Sequence, residues 1–184
     1  MRTAVYPGSF DPLTIAHVGL AEAAIAELGL SRVDLCLSED PLGKPHLAAT
    51  VAERAARLAA ALGGRSRLRV TTTPHRLVAD IATGYDVVVL GADKWAQVLD
   101  PAWYGGGADE RDGALGRLPL VAVAGRAGSA APEVRVDGVR VHLLSLPAHL
   151  AEVSSTGVRD GRSDWSAESG APGSATPDGF SAPG

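Results

Sequence analysis

Thr14 and His17, three residues apart, lie at the junction between a predicted strand and a predicted helix. The strand covers residues 3–6, a Pro-Gly turn breaks it, and an Ala-rich helix covers residues 17–28 before Gly29 ends it. Backbone N–H groups at such a turn and the positive end of the helix favour an anion. His17 in the first helical turn would point at that anion, so we expect a phosphate site.

A hydroxyl-rich run lies near the other end of the chain, from Val153 to Arg159. Ser154, Ser155 and Thr156 are residue types that cap helices and donate to phosphate oxygens. Arg159 offers a planar fork of donors that suits phosphate. Alone, the run would indicate only a helix cap, but its occurrence with the first segment favours a second phosphate-binding element.

These two segments resemble the T/HxGH and ISSTxxR signatures of the nucleotidylyltransferase superfamily. Thr14 and His17 match the first and fourth positions of the first signature, whereas Ala16 replaces the usual Gly and would tighten the phosphate pocket by one methyl group. The resemblance implies transfer of a nucleoside monophosphate from a nucleoside triphosphate to a phosphorylated acceptor, with release of pyrophosphate.

Lys44 lies in a turn-rich loop after a strand predicted over residues 33–38. The Lys-Pro pair, followed by the predicted helix over residues 50–62, resembles phosphopantetheine adenylyltransferases, in which this Lys meets the phosphates. Without that context Lys44 would be a solvated surface residue.

The middle of the chain resembles nicotinamide and nicotinate mononucleotide adenylyltransferases. Gly91 and Asp93 follow a strand predicted over residues 86–90, and Trp95 and Trp103 come after them. Arg126 follows the next predicted strand, over residues 120–124. In that family the Asp approaches the nucleotide sugar, and stacking of a pyridine ring on Trp is chemically reasonable. Anchoring of the loop to the core is the alternative for either Trp.

The resemblance implies ATP as the AMP donor and nicotinate or nicotinamide mononucleotide as the phosphorylated acceptor, with Mg²⁺ arriving with ATP. The assignment of roles to residues follows. The predicted catalytic residues are Thr14, His17, Lys44 and Arg159; the predicted nucleotide-binding residues are Gly8, Ser9, Phe10, Gly91, Asp93, Ser154, Ser155 and Thr156; the predicted acceptor-binding residues are Trp95, Trp103 and Arg126.

Three alternatives stay open at this point. One is a phosphopantetheine adenylyltransferase, a second is a cytidylyltransferase, and the third is a degenerate relative that binds a nucleotide without catalysis. Ala16 supports the third. The sequence has no P-loop signature, no GxGxxG after its first strand and no convincing zinc site.

The strands and helices that position these residues are predicted by alternating apolar and amphipathic segments of the sequence. Six apolar strands are predicted, over residues 3–6, 33–38, 68–72, 86–90, 120–124 and 139–144. Their alternation with helices predicts an α/β, Rossmann-like, doubly wound and mainly parallel sheet with helices on both faces, which binds ligands at the carboxyl ends of its strands. We expect one domain over residues 1–160.

Residues 161–184 are rich in Gly, Ser, Ala and Pro and predict a disordered, dispensable tail, with Trp165 as the residue that would dock onto the domain. The net charge of -4 gives no reason to expect a nucleic-acid partner, and no apolar run is long enough to span a membrane. One cysteine, Cys36, excludes an internal disulfide. We therefore expect a cytoplasmic enzyme, either monomeric or a homo-oligomer.

Overall fold

A parallel sheet of six strands forms the centre of the protein, whose computed structural model describes residues 1–43, 49–125 and 133–167. The strand order is β3-β2-β1-β4-β5-β6, and every neighbouring pair is parallel. This arrangement confirms the predicted Rossmann-like fold. The strands, within two residues of their predicted ends, are β1 (Thr3–Pro7), β2 (Arg32–Ser38), β3 (Leu68–Thr73), β4 (Val87–Gly91), β5 (Leu120–Ala124) and β6 (Val141–Leu144).

Helices connect the strands and cover both faces of the sheet. The first two end as predicted at glycines in the left-handed conformation, Gly29 with φ of 62° and Gly63 with φ of 46°. The α-helices are α1 (Ile15–Leu28), α2 (Val51–Leu62), α3 (Val78–Ile81), α4 (Ala92–Leu99), α5 (Ala108–Leu115), α6 (Ala148–Ala151) and α7 (Ser155–Arg159), and short 3₁₀ helices cover Pro101–Tyr104 and Ser163–Trp165. Within the described ranges, no helix combines the length and apolar character needed to cross a membrane.

The segment after β4 is helical, although the sequence pattern predicts a loop there. Helix α4 begins directly after Gly91, which contributes no side-chain cap, so the usual start signal is missing. Trp95 and Val98 are its buried residues, three positions apart. Packing of this short apolar stripe on the sheet stabilises the helix.

Strand β4 shows why the apolar runs predict a sheet covered on both faces. Val87 and Val89 belong to the core on the α1 and α2 side, whereas Val88 and Leu90 belong to the core on the α4 side. All four side chains are fully buried. Because successive strand residues point to opposite faces, a continuous apolar run is needed when both faces carry helices.

The chain after α7 continues as a C-terminal strap, residues 161–167, that lies against the domain. Ser166 forms an isolated antiparallel bridge with Thr14, and the Ala167 N–H donates to the Leu13 carbonyl at 3.0 Å. The first seven residues of the predicted tail are therefore in contact with the domain, and the remainder, residues 168–184, lies outside the described ranges.

Candidate functional site

A cavity of about 560 Å³ opens at the carboxyl ends of β1, β4 and β5. The chain connections leave β1 and β4 in opposite directions along the sheet, which is where doubly wound folds bind ligands. Twelve of the residues predicted from the sequence line this cavity: Gly8, Ser9, Phe10, Thr14, His17, Gly91, Asp93, Trp103, Ser154, Ser155, Thr156 and Arg159. Lys44 and Arg126 lie outside the described residues.

Thr14 and His17 form a reciprocal cap at the start of α1. The His17 backbone N–H donates to Thr14 Oγ1 at 3.3 Å, and the Thr14 backbone N–H donates to His17 Nδ1 at 3.0 Å. A backbone amide can only donate, so Nδ1 must accept, and the proton of the neutral imidazole lies on Nε2. The local fold of the motif thus selects the tautomer of the residue predicted to act on phosphate.

An aromatic ring also packs against the imidazole of His17. The Phe10 ring packs edge-to-face on both Tyr6 and His17, with ring centroids 5.2 Å apart in each pair. Burial raises the pKa of the Tyr6 hydroxyl well above its ordinary value, so Tyr6 stays neutral. A Cβ atom on Gly8 would lie 2.7 Å from Phe10 Cζ, so the turn needs glycine at this position.

Phe10 has a φ of 46°, in the left-handed region that side chains other than glycine seldom adopt. Its ring is nevertheless buried, with 6% of its surface exposed. Packing therefore holds an unfavourable backbone conformation in the turn that lines the cavity, a pattern associated with ligand sites.

The late motif is joined directly to the first one. Ser155 Oγ donates to the Pro12 carbonyl at 3.0 Å, and Arg159 Nη1 donates to the Asp11 carbonyl at 2.6 Å. A second Arg159 nitrogen, Nη2, donates to Thr156 Oγ1 at 3.0 Å. Arg159 therefore orients the turn that precedes α1 as well as lining the cavity, a role that the sequence alone does not indicate.

The C-terminal strap packs on the same two motifs. A Cβ atom on Gly157, within α7, would lie 2.5 Å from Trp165 Cζ3, so the indole ring rests directly on the helix backbone. The Arg162 guanidinium lies 4.0 Å from the centre of the Trp165 ring. One Trp in an otherwise small and polar segment is the sequence signal for this contact.

The two tryptophans predicted to meet the acceptor have different environments. Trp95 is 1% exposed, packs in the core on the α4 side, and donates from Nε1 to the Glu133 carbonyl at 2.7 Å. The assignment of Trp95 to acceptor binding is therefore corrected, because its ring is part of the core and does not line the cavity. Trp103 does line the cavity, and a Cβ atom on Gly43 would lie 2.8 Å from its Cη2 atom.

Lys94 and Gln97 also line the cavity, although they are not among the residues predicted from the sequence. Lys94 Nζ donates to Gln97 Oε1 along one face of α4. Their spacing of three residues on a helix is the signal that would have identified them as neighbours. Lys94 adds a cation from α4 to the cavity that Arg159 of α7 also lines.

No group of three or more His, Cys, Asp or Glu side chains within the described ranges is placed to hold a metal ion. The cavity presents hydroxyls, backbone amides and cations together with the Asp93 carboxylate. This donor set suits phosphate oxygens, and a divalent cation would have to bring most of its own ligands.

The chain is similar in sequence to known proteins over most of its length. Residues 5–161 match the model of the cytidylyltransferase-like family. A probable nicotinate-nucleotide adenylyltransferase from Bordetella petrii is 30% identical over 86% of this chain and 85% of that protein. A protein of the same description from Bordetella avium is 42% identical, over 39% of this chain and 36% of its own length.

Two further proteins are similar to this chain, one in sequence and one in fold. A phosphopantetheine adenylyltransferase from Carboxydothermus hydrogenoformans is 49% identical over 24% of this chain and 26% of its own. The structure of Plasmodium falciparum nicotinic acid mononucleotide adenylyltransferase complexed with NaAD superposes with a TM-score of 0.61 over 86% of this chain and 82% of that one, at 15% identity. At that identity the likeness concerns the fold.

Proposed function

The chain belongs to the cytidylyltransferase-like family of nucleotidyltransferases, and we propose that it transfers AMP from ATP to nicotinate or nicotinamide mononucleotide. The observation that carries the proposal is one cavity that contains both the Thr14–His17 cap and the ring of Trp103. The first suits a reacting phosphate, and the second suits a flat pyridine ring. The relative from Bordetella petrii, matched over most of both chains, supports the same acceptor class.

The proposed reaction is a direct in-line transfer. An oxygen of the acceptor phosphate attacks the α-phosphorus of ATP, a new P–O bond forms, and the bond to the β-phosphate oxygen breaks to release pyrophosphate. His17 donates from Nε2–H to the phosphate oxygens on which charge grows, while Thr14 holds the ring. Positioning and charge stabilisation are most of what such a transfer requires.

Several other predicted residues would surround the triphosphate of ATP. Backbone amides of Ser9 and Phe10 would hold phosphate oxygens at the turn after β1, and Ser154, Ser155 and Thr156 would do so at α7. Arg159 would add charge while it holds the turn at Asp11. We propose that Mg²⁺ enters as part of the MgATP substrate, since the phosphates supply hard oxygen ligands. Lys44 and Arg126 stay predictions for the triphosphate and the acceptor.

A phosphopantetheine adenylyltransferase is the second candidate. The 49% identity to such an enzyme over 45 residues is the observation that favours it. That enzyme would use the same phosphate turn and ATP, so the two candidates differ only in the acceptor that completes the site.

A pyrophosphate-release screen tests the proposal. ATP and CTP are each offered with nicotinate mononucleotide, nicotinamide mononucleotide and 4'-phosphopantetheine, and His17→Ala is the matched inactive control. We expect release with ATP and a pyridine mononucleotide. Release of pyrophosphate only with 4'-phosphopantetheine would establish the second candidate. If the protein bound ATP but released pyrophosphate with none of the three acceptors, both candidates would be contradicted.

A further inference from the structure

The C-terminal strap, residues 161–167, lies behind the proposed phosphate site. None of its residues lines the main cavity. Its last three residues, Trp165, Ser166 and Ala167, are half-buried against the domain, whereas the first four are exposed. A contribution of the strap to the reaction would therefore be indirect, through the elements that it holds.

Four consecutive backbone carbonyls in the turn before α1 accept hydrogen bonds. The four acceptors with their donors are Asp11 with Arg159, Pro12 with Ser155, Leu13 with Ala167, and Thr14 with Val18. Three of the four donors belong to the segment formed by α7 and the strap. This segment therefore holds the turn that leads into α1 at three successive positions.

One peptide unit joins the strap to His17. The Leu13 carbonyl, which accepts from the strap, and the Thr14 N–H, which donates to His17 Nδ1 at 3.0 Å, belong to the same peptide bond. A peptide bond is planar, so the direction of the carbonyl fixes the direction of the N–H. The Thr14 hydroxyl also lies 3.0 Å from Nδ1, and Thr14 is the residue that Ser166 bridges. The strap is therefore bonded directly to the peptide that orients the imidazole.

These hydrogen bonds form a chain that ends at the proposed catalytic group. The chain runs from the Ala167 N–H through the Leu13–Thr14 peptide to Nδ1 of His17, whose Nε2 carries the proton. Hydrogen bonds in a chain polarise one another, so a donor on the Leu13 carbonyl strengthens the Thr14 N–H as a donor. Loss of the Ala167 N–H would therefore weaken the bond that holds the imidazole in one tautomer.

The strap is fixed by contacts along its length. At its start, the Arg162 N–H donates to the Gly157 carbonyl of α7 at 2.9 Å. Further along, the Trp165 ring rests on the same residue, where a Cβ atom would lie 2.5 Å from Cζ3. At its end, Ala167 packs against the core on the α1 and α2 side. Together these contacts hold the Ala167 N–H on the Leu13 carbonyl.

We infer that the strap positions His17 for the proposed transfer, with the backbone N–H of Ala167 as the group that acts. Held in place by Trp165, this N–H orients the peptide that leads into α1 and keeps His17 in the Nε2–H tautomer. The inference rests on the proposed function and deepens it. It extends the site from the residues that line the cavity to a segment that lines none of it.

The test removes one hydrogen-bond donor from the full chain. Ala167→Pro deletes the backbone N–H and leaves Trp165 and Ser166 unchanged. Ser166 has a φ of -75° and a ψ of 132°, already in the extended region that a residue before proline adopts. Ala167→Ser, which keeps the N–H at the same position, is the matched control. Trp165→Ala loosens the strap by a second route, and Trp165→Phe retains an aromatic ring.

Two measurements are made at a temperature at which thermal unfolding shows every variant to be folded. Steady-state kinetics with ATP and the acceptor that reacts gives kcat and both KM values. NMR of the imidazole nitrogens at about pH 8.5, where histidine is ordinarily neutral, gives the tautomer of His17 without any turnover. Comparison with His17→Ala identifies the resonances of this residue.

We expect Ala167→Pro to lower kcat by about tenfold or more and to change both KM values by less than about threefold, since displacement of a catalytic group acts mainly on the transition state. The imidazole of His17 should change from the Nε2–H tautomer to a mixture of both tautomers. Ala167→Ser and Trp165→Phe should retain most of kcat and the single tautomer. Trp165→Ala should resemble Ala167→Pro.

Three outcomes would decide against one proposal or the other. A lower Tm with unchanged kcat and an unchanged tautomer would reduce the strap to a structural role and overturn the inference. Equal losses of kcat in Ala167→Pro and Ala167→Ser would also overturn it, because the N–H would then not be the acting group. If no acceptor supported release of pyrophosphate but Ala167→Pro still changed the tautomer, the orienting role of the strap would stand and the proposed reaction would be wrong.

Discussion

Thr14 and His17 hold each other at the first turn of α1 through two hydrogen bonds in opposite directions. The His17 backbone N–H donates to the Thr14 hydroxyl oxygen, and the Thr14 backbone N–H donates to His17 Nδ1, at 3.3 and 3.0 Å. The same pair that starts the helix therefore leaves Nε2 as the ring nitrogen that carries the proton. Helix capping and proposed catalysis use one structural element.

His17→Ala should lower kcat by about 10²-fold or more, because a donor aimed at developing charge stabilises mainly the transition state. The dissociation constant of ATP should change much less. Steady-state kinetics with the preferred acceptor and calorimetry with ATP provide the two measurements. Turnover within a few-fold of the wild type would remove His17 from the mechanism.

Trp103→Ala should raise KM for a pyridine mononucleotide by about tenfold, since stacking of a ring on Trp contributes on the order of 1–3 kcal/mol. ATP binding should stay nearly unchanged. Trp95→Ala is the contrasting variant: its buried ring should cost about 3–5 kcal/mol of stability. Measurements of the acceptor KM and of thermal unfolding distinguish the two residues. If Trp103→Ala weakened ATP binding as much as it weakened acceptor binding, Trp103 would belong to a lid over the nucleotide instead.

Arg159→Ala should impair the reaction with every acceptor alike, by about 10- to 100-fold in kcat/KM, because it removes the charged hydrogen bonds to the Asp11 carbonyl and to Thr156 Oγ1. Arg159→Lys retains the charge but loses the two-nitrogen geometry, so it should recover only part of the activity. Arg117→Ala, which breaks an exposed pair with Asp80 instead, is the matched control. A loss restricted to one acceptor would argue against a triphosphate role.

Truncation after Arg162 should destabilise the protein, contrary to the expectation from composition that the whole tail is dispensable. It removes Trp165 from Gly157 and the Ser166 bridge to Thr14. The expected loss of about 1–3 kcal/mol corresponds to a Tm lower by roughly 2–10 °C. Truncation after Ala167 keeps these contacts and is the control. Equal Tm values for the two truncations would show that the strap contributes nothing.

Ionisation of the Tyr85 hydroxyl should destabilise the protein at alkaline pH. Burial, followed by the hydrogen bond to Asp34, raises the pKa of Tyr85 to about 12. The unfolded chain loses this proton near pH 10, so the contribution of the neutral phenol is complete below pH 10 and is lost as the pH rises to 12. In urea unfolding between pH 8 and 11.5, Tyr85→Phe should show a shallower decline than the wild type. Parallel curves would exclude Tyr85 as the source.

The residues of the proposed phosphate site could be selected from the sequence because the determinants of their local structure are close together in the chain. Thr14 caps the helix that carries His17, Ser154 caps α7, and apolar runs identify the strands that precede them. Capping and strand alternation depend on residues a few positions apart, so they can be read in order along the chain. Parallel strands of a doubly wound sheet bring their carboxyl ends to one edge, so residues that follow different strands are expected to meet there.

Only the tertiary structure decided which residues with similar side chains face the cavity. Trp95 and Trp103 are chemically alike, but the phase of α4 turns Trp95 into the core while the following 3₁₀ helix brings Trp103 to the cavity. Likewise, the bond from Arg159 to Asp11 joins residues 148 positions apart. Such contacts depend on how elements distant in sequence pack together, and neither composition nor local spacing encodes that geometry.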